Sequence, residues 1–363
     1  MVNLDEAHRH ETVTGVRAWS VSMPLRRRLQ HATADVSALT AVLVEVELAD
    51  GVLGRSEVRS NGAYATGEDE AVIAGALRAM PAQGRSVAEL CDELSRHSRL
   101  AQMAVDTAAW DALARRSGLP LYRAWNPGAA QVDSVRTHAP IGFGDVETAI
   151  DQARSYVAAG FDRFKIRVGA PDLSADVARV GAIRDAAGSE VEFILDANGG
   201  WTYDAAAAAI EAFAGMGVAW IEQPVMSVSD LARLHQDAAL PLYADESARD
   251  PESVASLAAA VDGVHLKLEK CGNATRLFQT VAAARANGLQ VALGQMDQGQ
   301  LGCAVTTHLA AALGLDRAEL WGWAGITRDV TDTMVMRDGL VAVPEGTGNG
   351  VDSIDTTFAR EIL

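Results

Sequence analysis

Three acidic residues stand where short apolar runs end, and their spacing is regular. Asp196, Glu222 and Asp245 close the runs FILD, AWIE and LYAD at intervals of 26 and 23 residues. Carboxylates at the carboxyl ends of neighbouring parallel strands meet at one edge of a sheet, where their oxygens can bind a hard cation. Each acid could instead cap the helix that follows it, which is worth about 1 kcal/mol. Three such acids in succession favour a metal site.

A lysine lies on each side of these acids along the chain. Lys165 ends the run before them, in RFKIRV, and Lys267 ends the run after them, in GVHLKLE. A bound cation stabilises a carbanion next to a carboxylate, and a nearby amine can take the proton. We therefore predict that Lys165 and Lys267 are catalytic and that the site removes a proton from carbon.

The hydrophobic pattern shows which elements must position these groups. Residues 14–58 alternate apolar and polar positions around an Asp-Gly turn, which predicts an antiparallel meander. Residues 68–123 have helical apolar spacing, most clearly over 104–118, which ends at a glycine. We predict an N-terminal α+β module over residues 1–130.

From about residue 131 onward, strand-like runs alternate with alanine-rich helical segments. The eight runs are THAPIGF, FKIRV, EFILDA, VAWIEQ, PLYADE, VHLKLE, QVALGQ and ELWGWA. This alternation predicts an α/β fold, a (β/α)8-type barrel of the TIM kind, over residues 131–325. Residues 326–363 contain a predicted hairpin and then a GTGNG segment that is expected to return to the N-terminal module, which caps the barrel.

Composition and charge exclude several classes of function. The chain of 363 residues has a formal charge of −17, with 49% hydrophobic and 5% aromatic residues. Nucleic-acid binding requires a basic stripe, and the one dense basic run, PLRRRL at 24–29, is interpreted as a solvated edge. No membrane span or signal segment is expected, and the three separated cysteines indicate neither a disulfide framework nor a thiolate metal site. We predict a cytoplasmic protein without nucleic-acid or membrane partners.

The ordered motifs resemble those of the enolase superfamily, in its muconate-lactonizing-enzyme subgroup. The motifs are KIR at 165–167, DAN at 196–198, EQP at 222–224, DES at 245–247 and KLEK at 267–270, and the resemblance covers nearly the whole chain. It implies a modified TIM barrel, Mg²⁺ (or Mn²⁺) held by Asp196, Glu222 and Asp245, a lysine base and an enediolate intermediate. It also implies a homo-oligomer, either a dimer or an octamer. The base must be neutral near pH 7, so we expect a lysine pKa lowered by burial and by neighbouring cations.

Arg167 departs from the usual pattern of the subgroup, which has a second lysine at this position. Two lysines on opposite faces of an enediolate suit a racemase, whereas arginine is almost never a proton donor at neutral pH. The substitution favours β-elimination unless Lys165 itself faces the substrate. In another interpretation, Arg167 binds substrate or pairs with a metal-binding carboxylate.

Five further residues are candidates for binding the substrate. Trp321 and Trp323 flank Gly322, so their indoles are expected to point the same way and attract an ammonium group, unless they are barrel packing. Asp297 could bind the ammonium group or orient Lys267, or could cap a helix. Loops around 20–33 and 56–66, with Tyr64 and His31, are expected to cover the barrel mouth.

These features predict a small carboxylate substrate, most simply an amino or imino acid. The leading hypothesis is a cis-3-hydroxy-L-proline dehydratase that forms Δ1-pyrroline-2-carboxylate. The alternative is a racemase or epimerase of an amino acid, N-acyl amino acid, betaine or dipeptide. A cycloisomerase or acid-sugar dehydratase is disfavoured by the scarcity of histidine at the barrel mouth. An inactive barrel that serves as a binding module is the remaining hypothesis, from another class.

Overall fold

The computed structural model describes residues 4–31, 34–170 and 172–363, with side chains described for 6–28, 36–170 and 172–363. The N-terminal part of the chain folds into a cap of long strands and helices. Its elements are α1 (Leu4–His10), β1 (Thr12–His31), β2 (Ala34–Leu48), β3 (Leu53–Arg59), α2 (Ala63–Thr66), α3 (Glu70–Ala79), β4 (Arg85–Ser86), α4 (Val87–Leu94), α5 (Arg99–Arg116) and α6 (Leu121–Trp125).

The middle of the chain alternates strands with helices. Its elements are β5 (Ser134–Arg136), β6 (Ala139–Ile141), α7 (Val146–Ala158), β7 (Arg163–Arg167), α8 (Leu173–Ala187), β8 (Glu192–Asp196), α9 (Tyr203–Phe213), β9 (Val218–Glu222), α10 (Val228–Asp237), β10 (Leu242–Ala244), α11 (Pro251–Leu257), β11 (Gly263–Lys267), α12 (Leu268–Cys271), α13 (Ala274–Ala286), β12 (Gln290–Gly294) and α14 (Gln300–Leu313). A 3-10 turn (Trp323–Gly325) and the strands β13 (Met336–Arg337), β14 (Leu340–Ala342) and β15 (Arg360–Glu361) follow.

The described strands from β6 to β12 form one parallel sheet in which each strand lies beside its neighbours in sequence. The predicted eighth run is not assigned as a strand among the described residues. The segment 316–320 nevertheless fills the eighth position: Glu319 N donates to Leu293 O of β12 at 2.8 Å, and Ala318 N donates to Arg136 O at 3.0 Å. The sheet therefore closes into the predicted barrel, and isolated backbone hydrogen bonds hold the segment 316–320 in the eighth position.

The cap is an antiparallel sheet in the order β15, β1, β2, β3, with its helices packed on one face. Residues 20–31 belong to the long strand β1 rather than to a short loop, which corrects the prediction for the first covering loop. The segment 104–118, predicted as a helix, lies in α5 up to residue 116, and Gly118 follows it at a φ of +65°.

The C-terminal segment returns to the cap, as predicted for the fold. Asn349 is buried, and its backbone N–H donates to Asp111 Oδ1 at 2.6 Å, while its Oδ1 accepts from Arg115 at 3.1 Å. A Cβ at Gly348 would lie 2.1 Å from Asp111 Oδ1, so this close approach requires glycine. Pairing of β15 with β1 then adds the last strand to the cap sheet.

A buried acid of the cap also holds the barrel. Glu57 of β3 accepts from the backbone N–H groups of Gly299 and Gly302 at the start of α14, at 2.5 and 3.0 Å. Burial, and secondarily the nearby Asp329 carboxylate, raise the pKa of Glu57 to about 8. The cap thus docks through a carboxyl group that favours its protonated form.

No helix in the described part of the chain combines the length and apolarity needed to cross a bilayer.

Candidate functional site

The three acids predicted as metal ligands lie together at the carboxyl end of the barrel. Asp196 and Glu222 are the last residues of β8 and β9 and are directly paired in register, and Asp245 follows β10. All three are buried. Their positions follow from the apolar strands before them, which fix each backbone in the barrel wall and leave the terminal side chain at the mouth.

Lys165 lies lower in the barrel than predicted. It is the third residue of β7 rather than the last, it is 4% exposed, and its Nζ lies 2.7 Å from Glu222, 3.0 Å from Asp196 and 3.2 Å from Glu319. Burial lowers the pKa of Lys165, but these three carboxylates outweigh burial and leave the pKa well above its ordinary value. Lys165 is therefore enclosed by acids, and it is absent from the described residues that line the cavity at the mouth.

Lys267 ends β11, as predicted, and does line that cavity. Its Nζ donates to Asp245 Oδ2 at 2.6 Å. Burial lowers the pKa of Lys267, but Asp245, helped by Glu319 and Glu222, outweighs burial and leaves the pKa raised. Among the protein groups alone, the dominant neighbour of Lys267 is an acid; the expected lowering of its pKa includes the charge of a bound metal.

Arg167, the last residue of β7, occupies the cavity wall across from Lys267. β7 and β11 are four positions apart in a ring of eight, which places these two side chains on opposite sides of the mouth. Arg167 Nη1 also donates to Asp196 Oδ2 at 3.0 Å, so the side chain both faces the cavity and pairs with a predicted metal ligand.

Two buried histidines and the half-buried Glu319, which the sequence interpretation missed, complete the floor of the site. His265 Nδ1 lies 2.9 Å from Glu222 Oε1, and Glu319 lies between His265 and His138 at 3.4 and 3.5 Å. The period of two along a strand could have revealed His265, because it shares the inward face of β11 with Lys267. Glu319 carried no such signal, because its segment is not a regular strand.

A further signal was present in the composition. The chain contains three lysines, Lys165, Lys267 and Lys270, and all of them lie at this site. The Lys270 ammonium group donates to Asp245 Oδ1 at 2.6 Å. Outside the site, the chain uses arginine for its basic side chains.

The donor set fits a hard divalent cation. Single ligand atoms of Glu222, Asp245 and His265 lie within 4.8 Å of one another, and Asp196 adjoins Glu222 on the next strand. Carboxylate oxygens suit Mg²⁺ better than a histidine nitrogen does, so Asp196, Glu222 and Asp245 are the residues that would hold it. Asp196 Oδ2 is bound by Lys165 and Arg167, so a cation must share this acid with both.

The cavity above these groups has a volume of about 750 Å³ and is covered by the cap. Arg59 and Tyr64 of the second predicted covering loop line it, together with Asp297 from the loop after β12. Residues 60–66 include α2, a single helical turn, so this covering segment is partly helical. The side chain of His31 lies outside the described residues.

The two tryptophans do not line this cavity within the described structure. The Trp321 ring packs edge-on against Tyr156 and Phe161, at centroid distances of 5.7 and 5.8 Å. The Trp323 indole donates to Leu320 O at 3.2 Å in the turn that follows. The prediction of an indole facing the substrate is corrected, because Gly322 has a φ of +100° and breaks the extended backbone that it assumed.

A capped α/β barrel with acids, lysines and an arginine at its mouth defines a framework for acid–base chemistry on a carboxylate. Residues 148–356 match the family model "Enolase C-terminal domain-like", and residues 13–124 match "Mandelate racemase / muconate lactonizing enzyme, N-terminal domain". The chain belongs to the enolase superfamily, in the muconate-lactonizing-enzyme subgroup.

Named relatives within the superfamily carry out several reactions. The chain is 31% identical over 366 residues to muconate cycloisomerase 1-2 of Acinetobacter lwoffii, covering 94% of each chain. It is 29% identical to the hydrophobic dipeptide epimerase of Enterococcus faecalis, covering 90% of this chain and 96% of that one. The structure of an Enterococcus faecalis dipeptide epimerase complexed with Mg and the dipeptide L-Leu-L-Tyr superposes with a TM-score of 0.85, at 26% identity and 94% and 99% coverage. The chain is therefore an enolase-superfamily enzyme whose relatives include epimerases and cycloisomerases.

Proposed function

We propose that this enzyme eliminates water from a β-hydroxy amino or imino acid, with cis-3-hydroxy-L-proline as its substrate and Δ1-pyrroline-2-carboxylate as its product. The observation that carries the proposal is that an amine and a guanidinium group lie on opposite sides of the cavity. Lys267 stands on one side and Arg167 on the other, while Lys165 is enclosed by three carboxylates. A guanidinium group cannot return a proton to carbon, so one face of the substrate has a base and the opposite face has only a fixed positive charge.

Lys267 takes the α-proton from its face of the substrate. The electron pair of the broken C–H bond is held in the enediolate, and it then forms the C2–C3 double bond as the C3–O bond breaks. The leaving hydroxide takes up a proton from solvent, and Lys267 passes the proton that it removed to solvent, so water is the net by-product. The enamine then tautomerises to the cyclic imine. When bound by Asp196, Glu222 and Asp245, a divalent cation supplies positive charge that stabilises the enediolate, and it offsets the Asp245 charge that raises the pKa of Lys267.

The stereochemistry of the substrate agrees with this arrangement. In cis-3-hydroxy-L-proline the hydroxyl and the carboxylate share one face of the ring, so the hydroxyl lies opposite the α-hydrogen. Removal of that hydrogen by Lys267 leaves the hydroxyl to depart on the side of Arg167. The base and the departing group are thus assigned to opposite sides of the cavity, where the structure has an amine and a guanidinium.

Racemisation or epimerisation is the second candidate, favoured by the epimerase relatives and by a cavity large enough for a dipeptide. A two-base mechanism requires a second amine at the substrate. Lys165 would have to leave its ion pairs with Asp196, Glu222 and Glu319 to provide it. That requirement makes elimination the preferred proposal.

Proton NMR in D₂O tests both proposals in one measurement. With Mg²⁺ and a panel of hydroxyprolines, we expect wild type to lose the α-proton signal of cis-3-hydroxy-L-proline and to form the imine. Lys267→Ala should lower both events more than roughly 10³-fold with the fold intact, because this side chain supplies the base. Undiminished exchange in the variant would rule out Lys267, and inversion without elimination in wild type would favour the epimerase.

We also propose that the enzyme is a homo-oligomer, a dimer or an octamer, with neither nucleic acid nor membrane as a partner. Light scattering of the eluting protein during size-exclusion chromatography would measure the assembly.

A further inference from the structure

Arg59, at the end of β3, is a buried arginine whose two outer nitrogens make no hydrogen bond among the described residues. The residue is 2% exposed, and neither Nη1 nor Nη2 has a hydrogen-bond partner among the described residues. A buried guanidinium nitrogen without a hydrogen bond is unfavourable, and buried polar groups are nearly always paired. Arg59 also lines the cavity, so its missing partner is expected there.

The orientation of Arg59 is fixed from behind by Asn61. Arg59 Nε donates to Asn61 Oδ1 at 3.3 Å. The Asn61 side chain is itself held by the backbone of β2, since its Oδ1 accepts from Thr40 N at 3.0 Å and its Nδ2 donates to Ala38 O at 2.9 Å. This arrangement uses the inner nitrogen of Arg59 and leaves its two outer nitrogens buried and without a hydrogen bond to the described residues.

Asp297 lies beside the outer nitrogens without bonding to them. Its Oδ2 is 3.7 Å from Arg59 Nη1, which is beyond hydrogen-bond distance, and its side chain is 25% exposed. The loop that carries Asp297 is anchored by Glu269, which accepts from Met296 N at 2.7 Å and from the Gln298 side chain. A cation and an anion, each held by neighbouring groups of the chain, therefore stand side by side at the cavity.

Asp297 also lies within electrostatic reach of Arg167. Asp297 contributes to the raised pKa of Arg167, in which burial is the largest single and opposing influence. The Arg59 guanidinium lies 5.7 Å from the centre of the Tyr64 ring, and Arg167 and Asp297 both act on the pKa of that phenol, which burial raises. These four side chains lie close enough to influence one another, and Arg167 links them to Asp196 through its bond at 3.0 Å.

We propose that Arg59 and Asp297 form a dipolar subsite, in which Asp297 accepts from the ring NH₂⁺ group and Arg59 donates to the oxygen on the β-carbon. This assignment rests on the proposed dehydration. In cis-3-hydroxy-L-proline the ring nitrogen and the hydroxyl are attached to C2 and to its neighbour C3, so one compact pair can contact both. As the C3–O bond breaks, negative charge grows on that oxygen, and Arg59 stabilises it through hydrogen bonds without transferring a proton.

The assignment makes Arg59 catalytic for departure of the hydroxyl but not for removal of the α-proton. The two events are separated by comparing L-proline, which can exchange its α-proton but has no leaving group, with cis-3-hydroxy-L-proline. Holoenzyme with Mg²⁺ in D₂O is used for wild type, Arg59→Gln and Arg59→Lys. Arg17→Gln is the matched control, because Arg17 is a cap arginine whose side chain is 57% exposed.

Arg59→Gln is expected to lower elimination by roughly 10²–10³-fold, the usual cost of losing a donor to a developing oxyanion, while exchange on L-proline stays within about threefold. Arg59→Lys should recover part of the loss, since it keeps the charge but loses the paired donors. With cis-3-hydroxy-L-proline, Arg59→Gln should exchange the α-proton many times for each elimination. Arg17→Gln should match wild type in both reactions.

Asn61→Ala provides a second variant that leaves Arg59 in place but frees its orientation. Elimination should fall about tenfold, and the effect should disappear in the Arg59→Gln background, because both changes act through one side chain. Equal losses of exchange and elimination in Arg59→Gln, or no loss of either, would overturn the role of Arg59 alone. Absence of elimination by wild type would overturn the proposed function, and this assignment with it.

Discussion

The two sides of the cavity differ in how their charges are satisfied. On the barrel side, Lys165 lies within 3.0 Å of both Asp196 and Glu222, and Lys267 lies 2.6 Å from Asp245. On the cap side, the outer nitrogens of the buried Arg59 have no hydrogen-bond partner among the described residues.

The barrel side has the charges that a cation requires, and the cap side is the one that we propose contacts the substrate. Close pairs of opposite charge hold the acids ionised: burial alone would raise the pKa of Asp245, but Lys267 and Lys270 outweigh it and lower that pKa well below its ordinary value. Ionised carboxylates are the form that a divalent cation requires. On the cap side, Arg59 is held by Asn61 and by its ion pair with Asp297, while its outer nitrogens lack hydrogen bonds to the described residues, in agreement with the proposed substrate contact.

Removal of one acid should have the largest effect on the barrel side. Glu222→Gln replaces a carboxylate that meets both Lys165 and His265, so we expect Mg²⁺ affinity to fall more than roughly 100-fold and turnover to fall with it. Isothermal titration with Mg²⁺ measures the affinity. Glu192→Gln is the control. Glu192 begins β8, at the end of the strand away from the acids, and pairs with Arg163, so this variant should bind Mg²⁺ normally. Unchanged affinity in Glu222→Gln, or turnover that survives EDTA, would contradict the metal site.

Replacement of Arg167, the guanidinium group opposite Lys267, should alter the outcome of the reaction. Arg167→Lys places an amine on the face that holds a guanidinium, so we expect stereoinversion of L-proline to appear and elimination to fall roughly tenfold or more. Chiral chromatography after incubation in D₂O detects the D-isomer. Wild type should incorporate deuterium with retention of configuration. Inversion by wild type at a rate similar to that of the variant would show that Arg167 does not determine the face of protonation.

The smallest expected effect concerns Glu57, which holds the cap, and with it Arg59, against the barrel. The pKa of Glu57 is raised from 4.5 to about 8 in the folded protein, so its contribution to stability is present below pH 4.5 and is lost as the pH rises through 8. Glu57→Gln removes this titration and one hydrogen bond worth about 1 kcal/mol. Urea unfolding should find the variant less stable at pH 5, with the difference narrowing or reversing by pH 9. A constant difference across that range would exclude titration of Glu57 as the cause.

The sequence was sufficient for the barrel and its acids because the signals for both are local. Each of Asp196, Glu222 and Asp245 follows an apolar run that can form only a buried strand, and strand order then brings the carboxyl ends together. Lys267 obeys the same rule at the end of β11. Lys165 differs, because β7 continues to Arg167 and leaves the lysine within the wall.

Other features depend on tertiary contacts that leave no periodic trace. Arg59 is buried because it lies where the cap meets the barrel. The sequence around the end of β3 contains no pattern that distinguishes a buried arginine from a solvated one. The eighth run was interpreted as a strand because of its apolar residues, but Gly322 adopts a positive φ and sends Trp321 to the outside of the barrel. A Cβ at Gly322 would lie 2.9 Å from the Asp297 backbone, so this turn is fixed by the neighbouring loop rather than by local preference.

Confinement of every lysine to one site has a practical consequence for spectroscopy. Reductive methylation with ¹³C-formaldehyde would label three side chains and the α-amino group, so a protein of 38.2 kDa would give a spectrum with only a few resonances. Each lysine resonance would report ionisation at the site itself, without isotopic labelling during growth. The same scarcity makes amine-directed reagents selective: loss of activity on acylation would trace to Lys165, Lys267 or Lys270, and mass spectrometry of the peptides would identify which one reacted.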